Sequence, residues 1–256
     1  EISRPIAARL KGRRLPMVDR VEISIIEEEQ PRWLAFVNNE ADLQFEMGFQ
    51  FVAQAMPNGK VAPNLAQRGI VGYRHLEPTV YCVLFNMEDP VVGGYDAPNI
   101  ALRRAIGLSF DSRTEIAYAF NGQGTVAQTM LLPHTRAFDP NYRSEMSAYD
   151  PARAKALLDL YGYADRDGDG WREMPDGSPL ELRINGQSDG RSRKIAEMMD
   201  RNLRAVGIRS TAVIAQWPEN LKSARAGKLQ MWPVGSQADA PDSIGALARY
   251  DSRQIG

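Results

Sequence analysis

Apolar residues recur along this chain at two spacings, and the two spacings predict alternating strands and helices. Leu180, Leu182 and Ile184 alternate with polar residues, as the residues of a half-buried strand do. Residues 195–206 instead place apolar side chains three and four positions apart, as an amphipathic helix does. The same reasoning predicts strands over 18–26, 80–86, 180–184, 208–214 and 229–234.

Capping residues and glycines mark the ends of the predicted helices. Asp150 and Pro151 open a helix that Gly162 ends, and Gly207 ends the helix over 195–206. Further helices are predicted from Pro31 to Asn38–Asn39, after the Asp96 cap, from the Ser112–Glu115 capping box and over 218–226. Strands and helices that alternate in this way predict an α/β fold, with a mixed sheet flanked by helices.

Composition and charge narrow the classes of function. Hydrophobic residues make up 43% of the 256 residues and charged residues 25%, as in ordinary globular proteins. Lys and Arg total 31 against 32 Asp and Glu, so the near-neutral chain is not built to bind nucleic acid or an anionic membrane. The single cysteine, Cys82, rules out a disulfide framework within the chain. Because the chain starts at Glu1 without a leader pattern, we expect it to be a piece of a longer protein.

The sequence carries none of the common catalytic motifs. Its two histidines, His75 and His134, lie in loop-like segments without metal-ligand spacing, so we expect both at the surface. There is no nucleophile elbow and no phosphate-binding glycine loop. These absences argue against an enzyme, although a hydrolase whose catalytic residues come from distant segments stays open.

An acidic loop between residues 165 and 176 has the spacing of a calcium site. Carboxylates fall at its first, third, fifth and twelfth positions, with Gly170 at the sharp turn. Position twelve is Asp176 rather than the longer Glu, and a strand follows instead of a helix. A solvated turn is therefore the favoured interpretation, and a calcium-stabilised structural or adhesion module is the alternative.

A second candidate site follows the last predicted strand. Residues 235–242 leave the carboxyl end of that strand, which is where open α/β sheets bind ligands. Asp239 is placed there to meet a cationic group, and Trp217 stands directly before the helix predicted over 218–226. The same residues are also common in turns and cores, so the pattern alone does not decide between the two interpretations.

Taken in order, several segments resemble the middle of the family 5 extracellular solute-binding proteins, the peptide and nickel type. The resemblance covers nearly the whole chain. Its segments are Leu15–Val21, Asn38 and Asp42, Phe85–Asn86, Ala101–Ile106, Asp150–Tyr163, Asp167–Gly170, Ile195–Ile208 and Ala238–Asp242.

The resemblance implies a type II periplasmic-binding-protein-like lobe. Residues 1–256 would form the second lobe of a two-lobed receptor whose first lobe lies outside this sequence. Such a receptor works in the periplasm without a cofactor. It captures a small solute, such as a peptide or another amine-containing compound, and delivers it to an ABC permease.

The resemblance also implies roles for individual residues. Asp239 would pair with a free amino group of the solute, and Trp217 would line a side-chain pocket. Ser236 stands where peptide receptors often carry an aromatic residue, so we expect a smaller and more polar wall there, with Gln237 beside it. Asn86 would approach the cleft from its strand. Asp242 is expected to cap the next helix rather than bind the solute.

Overall fold

The computed structural model describes residues 3–14, 16–26, 28–45, 47–238, 240–242, 244–248, 250–251 and 253, with the backbone alone for 3–6. The chain divides into two compact units, Glu1–Val52 and Ala53–Gly256. The elements, in order, are α1 (Ser3–Leu10), α2 (Glu29–Val37), α3 (Phe49–Ala55), α4 (Pro63–Ala66), β1 (Thr79–Phe85), α5 (Ala97–Ser109), α6 (Ser112–Ala119), α7 (Pro151–Leu160), β2 (Glu181–Gln187), α8 (Gly190–Arg204), β3 (Arg209–Ala215), α9 (Trp217–Arg225), β4 (Met231–Gln237) and α10 (Ile244–Ala248).

The first unit is helical where it is described. Trp33 of α2 is buried and stacks on Phe51 of α3 with ring centroids 5.7 Å apart, so an aromatic cluster holds these two helices together. The strand predicted over 18–26 is wrong for this structure, because those residues form no helix or strand. A strand needs a neighbouring strand to pair with, and the described part of this unit contains none.

The second unit is built on a four-stranded mixed sheet, as the sequence predicts. The strand order is β1-β4-β2-β3. β2 pairs in parallel with both β3 and β4, whereas β1 pairs antiparallel with β4. The strands predicted over 80–86, 180–184, 208–214 and 229–234 are therefore confirmed in type and shifted by a few residues at their ends.

Two crossover helices lie on opposite faces of this sheet. A Cβ built on Gly186 would lie 3.9 Å from Ser192 Cβ of α8, so that face of β2 meets α8. The preceding side chain, Asn185, points the other way and hydrogen-bonds Asn220 of α9. The chain thus runs from β2 to β3 over one face and from β3 to β4 over the other, with β2 in the middle.

The core of the second unit lies between the sheet and its helices. Helix α5 packs on α7, and α8 packs on β2 and β3. The largest fully buried apolar side chains are Tyr163, Leu102, Leu158, Leu182, Ile184, Met199, Leu203, Ile208, Met231, Val92 and Val206. Most of them come from the apolar faces of strands and helices, which is why the two spacings in the sequence predict this part of the fold. Val92, Tyr163, Val206 and Ile208 instead lie in connections beside these elements.

Aspartates fix the starts of three helices in the second unit. Asp111, Asp150 and Asp189 accept hydrogen bonds from the backbone N–H three residues on, at 3.1, 2.9 and 2.9 Å. The capping box predicted from Ser112 to Glu115 is wrong, because Ser112 is already the first residue of α6 and Asp111 is its cap. Asp96 holds the cap position of α5, but its side chain makes no capping hydrogen bond.

Glu115 of α6 should make stability depend on pH. Burial raises the pKa of its carboxyl to about 7 from the ordinary 4.5. The unfolded chain loses this proton near pH 4.5 and the folded chain only near 7, so stability falls as pH rises through that window. We expect Glu115→Gln to stabilise the protein at pH 8 by roughly 1–2 kcal/mol, a value discounted for partial exposure.

Urea unfolding of the wild type and Glu115→Gln at pH 4 and pH 8 measures this effect. The difference in unfolding free energy between Glu115→Gln and the wild type should be small at pH 4 and should increase as the pH rises. An equal difference at both pH values would show that the substitution acts through packing and not through the charge.

Candidate functional site

Three parallel strands end at the same edge of the sheet, and the predicted site lies there. Ser188 follows β2, Gln216 and Trp217 follow β3, and Ser236 and Gln237 end β4. Because Ile184 of β2 aligns with Met231, the first residue of β4, β4 runs farther than β2 at this edge. The extension is paired with β1 up to Thr79 opposite Gln237. At this edge of the sheet, which we call the rim, β4 therefore extends three residues beyond the point reached by β2.

Trp217 is the first residue of α9 and stands at this rim. Its ring lies 5.1 Å from the ring of Trp232, at an interplanar angle of 38°. Trp232 is only 8% exposed, whereas Trp217 is 42% exposed. One side of the Trp217 indole is therefore supported by a buried neighbour, and the rest of it is open to contact with another molecule.

Side chains alternate between the two faces of the sheet along β4, and this alternation places Ser236 and Gln237 on different faces. Trp232 contacts α9 through Trp217, so Ser236, four residues later on the strand, points to the same face. Ser236 is 7% exposed, so this small side chain is buried on the face of β4 that meets α9. Gln237 is exposed and points to the opposite face. The structure thus brings Trp217 and Ser236 onto one face and leaves Gln237 on the other.

Asp239 lies outside the described residues, but residues on both sides of it form hydrogen bonds with other segments. The N–H of Ala238 donates to Pro78 O at 2.9 Å, which extends the β1–β4 pairing by one residue. The N–H of Arg136 donates to Pro241 O at 2.9 Å. Asp242 accepts a hydrogen bond from the N–H of Ile244, the first residue of α10, at 3.0 Å, so its side chain is used in the turn before the helix.

Asn86 lies at the other end of the sheet. It follows β1, whose last residue, Phe85, pairs with Met231 at the beginning of β4. Its side-chain amide donates to Gly227 O at 2.9 Å and its side-chain oxygen accepts from the N–H of Glu88 at 3.1 Å. The structure therefore does not bring Asn86 together with Ser236 and Trp217, and its side chain is used to shape a turn.

A buried amide pair anchors α9 to the sheet beneath Trp217. Asn220 is 1% exposed, and its side-chain nitrogen donates to Gly186 O at 2.9 Å and to Ala215 O at 3.3 Å. Its oxygen accepts from Asn185 at 3.3 Å. The amide therefore joins the ends of β2 and β3 and fixes the turn of helix that carries Trp217.

Gln216 adds a second connection between the same strand ends. Its side chain donates to Ser188 Oγ at 2.9 Å, and its backbone N–H donates to Glu219 at 3.3 Å. The sequence analysis missed both Gln216 and Asn220. The available signal for Asn220 is a polar residue one helical turn after Trp217, in a short helix that must pack on a sheet.

The opposite face of the rim is basic and aromatic. The guanidinium of Arg191, in the first turn of α8, lies 5.4 Å from the ring of Tyr81 and 5.8 Å from the ring of Phe120. Burial opposes ionisation of Asp189, the α8 cap. Hydrogen bonds from the Ser192 hydroxyl and N–H nevertheless hold the pKa of that carboxyl below its ordinary value. The cap therefore stays negative beside Arg191 at neutral pH.

The acidic loop groups three exposed carboxylates. Oxygens of Asp165, Asp167 and Asp169 lie within 4.8 Å of one another. Asp165 accepts hydrogen bonds from the N–H groups of Gly168 and Gly170 at 2.7 and 2.9 Å. The loop thus closes on itself as a turn through its own backbone donors.

Two carboxylates of this loop have partners within the protein. Asp176, at the twelfth position, accepts from the hydroxyl and N–H of Ser178, and the hydroxyl hydrogen bond foremost lowers the pKa of Asp176. Asp169 forms a salt bridge with Arg209 at 3.0 Å, so the charge of this carboxylate is already paired with an arginine. These contacts fit the predicted helix-to-strand turn, and we assign no metal to it.

Both histidines are at the surface, as predicted. His75 lies 3.8 Å from Glu77, and His134 contacts Leu76 O at 2.7 Å. Neither contact brings a nucleophile to the ring. The histidines therefore give no support for a hydrolase site.

The comparison with known families decides the class of this chain. Residues 10–255 match the model described as bacterial extracellular solute-binding proteins, family 5 Middle. The chain belongs to this family. No helix of the described residues is long and apolar enough to cross a membrane.

Individual relatives of the family 5 chain bind different solutes. Di/tripeptide-binding protein 2 of Pseudomonas aeruginosa is 32% identical over 59% of this chain and 26% of its own length. The nickel-binding periplasmic protein of Escherichia coli is 30% identical over 75% of this chain and 34% of its own length. The family 5 chain therefore spans about a third or less of these curated relatives.

The fold is that of solved family members. NikA from Brucella suis, in complex with Fe(III)-EDTA, superimposes with a TM-score of 0.68 at 22% identity. The match covers 88% of the family 5 chain and 43% of NikA. This likeness confirms the periplasmic-binding-protein-like α/β architecture that the sequence predicts.

The Asn220 anchor gives a test of how the rim is held. Asn220→Ala should destabilise the family 5 chain by roughly 2–4 kcal/mol, because it leaves two strand-end carbonyls and the Asn185 amide buried without a partner. Lys222→Ala, on the exposed side of the same helix, should change stability by less than about 0.5 kcal/mol. Urea unfolding of both variants measures the difference, and equal costs would show that the amide network is dispensable.

Proposed function

We propose that this chain is part of the solute-binding component of an ABC importer. The complete receptor captures a peptide-like or other amine-containing solute and delivers it to the permease. The single observation that carries the proposal is Trp217, a half-exposed ring held against a buried one at the carboxyl edge of the strands. Membership of the solute-binding family and relatives named for di- and tripeptides and for nickel support it.

Trp217 is suited to contact an apolar or aromatic part of the solute. Its packing on Trp232 and the Asn220 anchor restrict its motion before any solute arrives. A ring that is already ordered loses little conformational entropy on binding, so most of its contact energy contributes to affinity.

Asp239 would supply the charge that selects an amine. In the sequence it comes two residues after Gln237, the last residue of β4. A carboxylate facing an ammonium group in a closed cleft forms a charge-assisted hydrogen bond. Ser236, where related receptors often carry an aromatic ring, would leave room beside it for a larger or more polar solute group.

The remainder of the receptor would close over this edge. We infer that residues 1–256 belong to the second lobe and that the first lobe lies elsewhere in the polypeptide. The matches cover 59% and 75% of this chain but only 26% and 34% of the two relatives, which are therefore about twice as long. Half a cleft leaves a solute largely in water, so tight binding requires both lobes. The family description as extracellular supports work in the periplasm.

Thermal-shift screening of the complete polypeptide tests the proposed class of function. The panel comprises free-amine dipeptides and tripeptides, their N-acetylated forms, nickel and iron chelates, and calcium. A true solute at 100 times its Kd should stabilise the receptor by about 2.7 kcal/mol and raise its Tm. A panel in which calcium alone raises Tm would favour the structural-module alternative and contradict transport.

The role of Asp239 has a separate test. Asp239→Asn should weaken binding of a free-amine solute by about 30-fold or more, because the ammonium loses its counter-charge in a desolvated site. Asp242→Asn, three residues away and bonded to Ile244, is the matched control and should leave the affinity within about 3-fold. Calorimetric titration of both variants with the solute found in the screen gives these values.

The N-acetylated form of the same solute separates this role from the wider proposal. Wild type should bind it as weakly as Asp239→Asn binds the free amine. If acetylation leaves the affinity unchanged, Asp239 does not recognise an amine, although the protein would still be a solute receptor.

A further inference from the structure

A turn near the rim holds a histidine in a backbone conformation that histidine rarely adopts. In residues 132–135, the N–H of Thr135 donates to Leu132 O at 3.2 Å. Pro133 at the second position and a φ of 66° for His134 at the third are typical of a type II turn. Glycine or asparagine normally fills that third position, and the other described non-glycine residues with positive φ are all asparagines. A histidine kept in this conformation indicates that its side chain has a function.

The side chain of His134 connects the turn to the segment that enters β1. Its Nε2 lies 2.7 Å from Leu76 O. A carbonyl oxygen can only accept, so Nε2 carries a proton and donates it to this bond. Leu76 begins the entry segment, residues 76–78, which leads directly into β1 at Thr79. Leu132 is only 3% exposed, so the turn that carries the histidine is itself fixed to the core.

The residues after the turn connect to the segment that leaves β4. The N–H of Arg136 donates to Pro241 O at 2.9 Å, in the exit segment, residues 238–241. The N–H of Ala238 donates to Pro78 O at 2.9 Å, which joins the exit segment to the entry segment. Together with the His134 bond, these contacts form a closed set in which each of three short segments is bonded to the other two.

We propose that His134 is a positioning residue for solute binding, because its bond to the entry segment helps to hold the exit segment, to which Asp239 belongs. The inference rests on the proposed function, in which Asp239 meets an amine. A charged group recognises its partner well only when it is held to within about 0.5 Å of the productive geometry. The two strand ends alone leave the residues beyond Gln237 without a ladder, so the bonds to residues 134–136 supply that restraint.

Two substitutions of His134 separate its hydrogen bond from the turn. Asparagine suits the positive φ, so His134→Asn should fold as the wild type does, but its side chain is too short to reach Leu76 O. Glutamine places an amide nitrogen about as far from the backbone as Nε2, so His134→Gln should restore the bond. His75→Asn is the matched control, because His75 adjoins Leu76 but contacts Glu77, at 3.8 Å.

Hydrogen-exchange mass spectrometry of the complete polypeptide without solute tests whether His134 holds the exit segment. Peptides that cover residues 235–242 should exchange about 10-fold faster in His134→Asn than in the wild type, because the contact with the entry segment is lost. His134→Gln and His75→Asn should exchange as the wild type does. Equal exchange in all four proteins would overturn the proposal, and so would a glutamine variant that behaves as the asparagine variant does.

Calorimetric titration tests whether this restraint matters for binding. The probe is the free-amine dipeptide that gives the largest rise in Tm in the thermal-shift panel, together with its N-acetylated form. His134→Asn should bind the free amine about 5-fold more weakly than the wild type, and the acetylated form with unchanged affinity. Faster exchange without a change in affinity for the free amine would overturn the positioning role. A panel in which no solute raises Tm would instead contradict the proposed function, so the two failures are distinguishable.

Discussion

The buried amide of Asn220 is the contact on which the candidate site depends. It holds the carbonyls of Gly186 and Ala215, so the ends of β2 and β3 and the first turn of α9 are fixed by one side chain. In parallel strands these ends carry the loops that meet ligands, and a small shift there would move every group on the rim. Trp217 and its contact with Trp232 follow from this anchor, since the ring is three residues from Asn220 on the same helix.

Local rules account for most of the second unit. Asp150 at the start of α7 and Gly207 after α8 act within a few residues of their own positions, and Gly207 adopts a positive φ of 80° as a helix-ending glycine does. Strands β2, β3 and β4 are also predicted from the sequence, because apolar residues recur along each of them. Such features depend on spacing along the chain, which a single sequence contains.

The features that the sequence did not predict depend on partners distant in the chain. Residues 18–26 have the pattern of a strand, but a pattern cannot state whether a pairing strand is present. Asn86 follows a strand as a site residue would, yet antiparallel pairing of β1 with β4 turns its end away from the carboxyl edge. Asn220 acquires its role only when β2 and β3 lie side by side, and Arg191 only when the first turn of α8 meets Tyr81 of β1. Trp217, Ser236 and Asp239 were predicted as one group from the family resemblance, which carries information about register that composition and spacing lack. The structure brings Trp217 and Ser236 to one face, and Asp239 stays a prediction.

The apolar surface around Trp217 is small, rests on the buried ring of Trp232 and lies beside polar strand ends. A reversible contact needs a surface that is ordered in advance yet tolerates water, because the same side chains must be exposed before binding and covered after it. The rim meets both requirements, since the Asn220 anchor orders the helix and the exposed part of the Trp217 ring already faces water. These properties are the ones that the proposed receptor role requires of its binding edge.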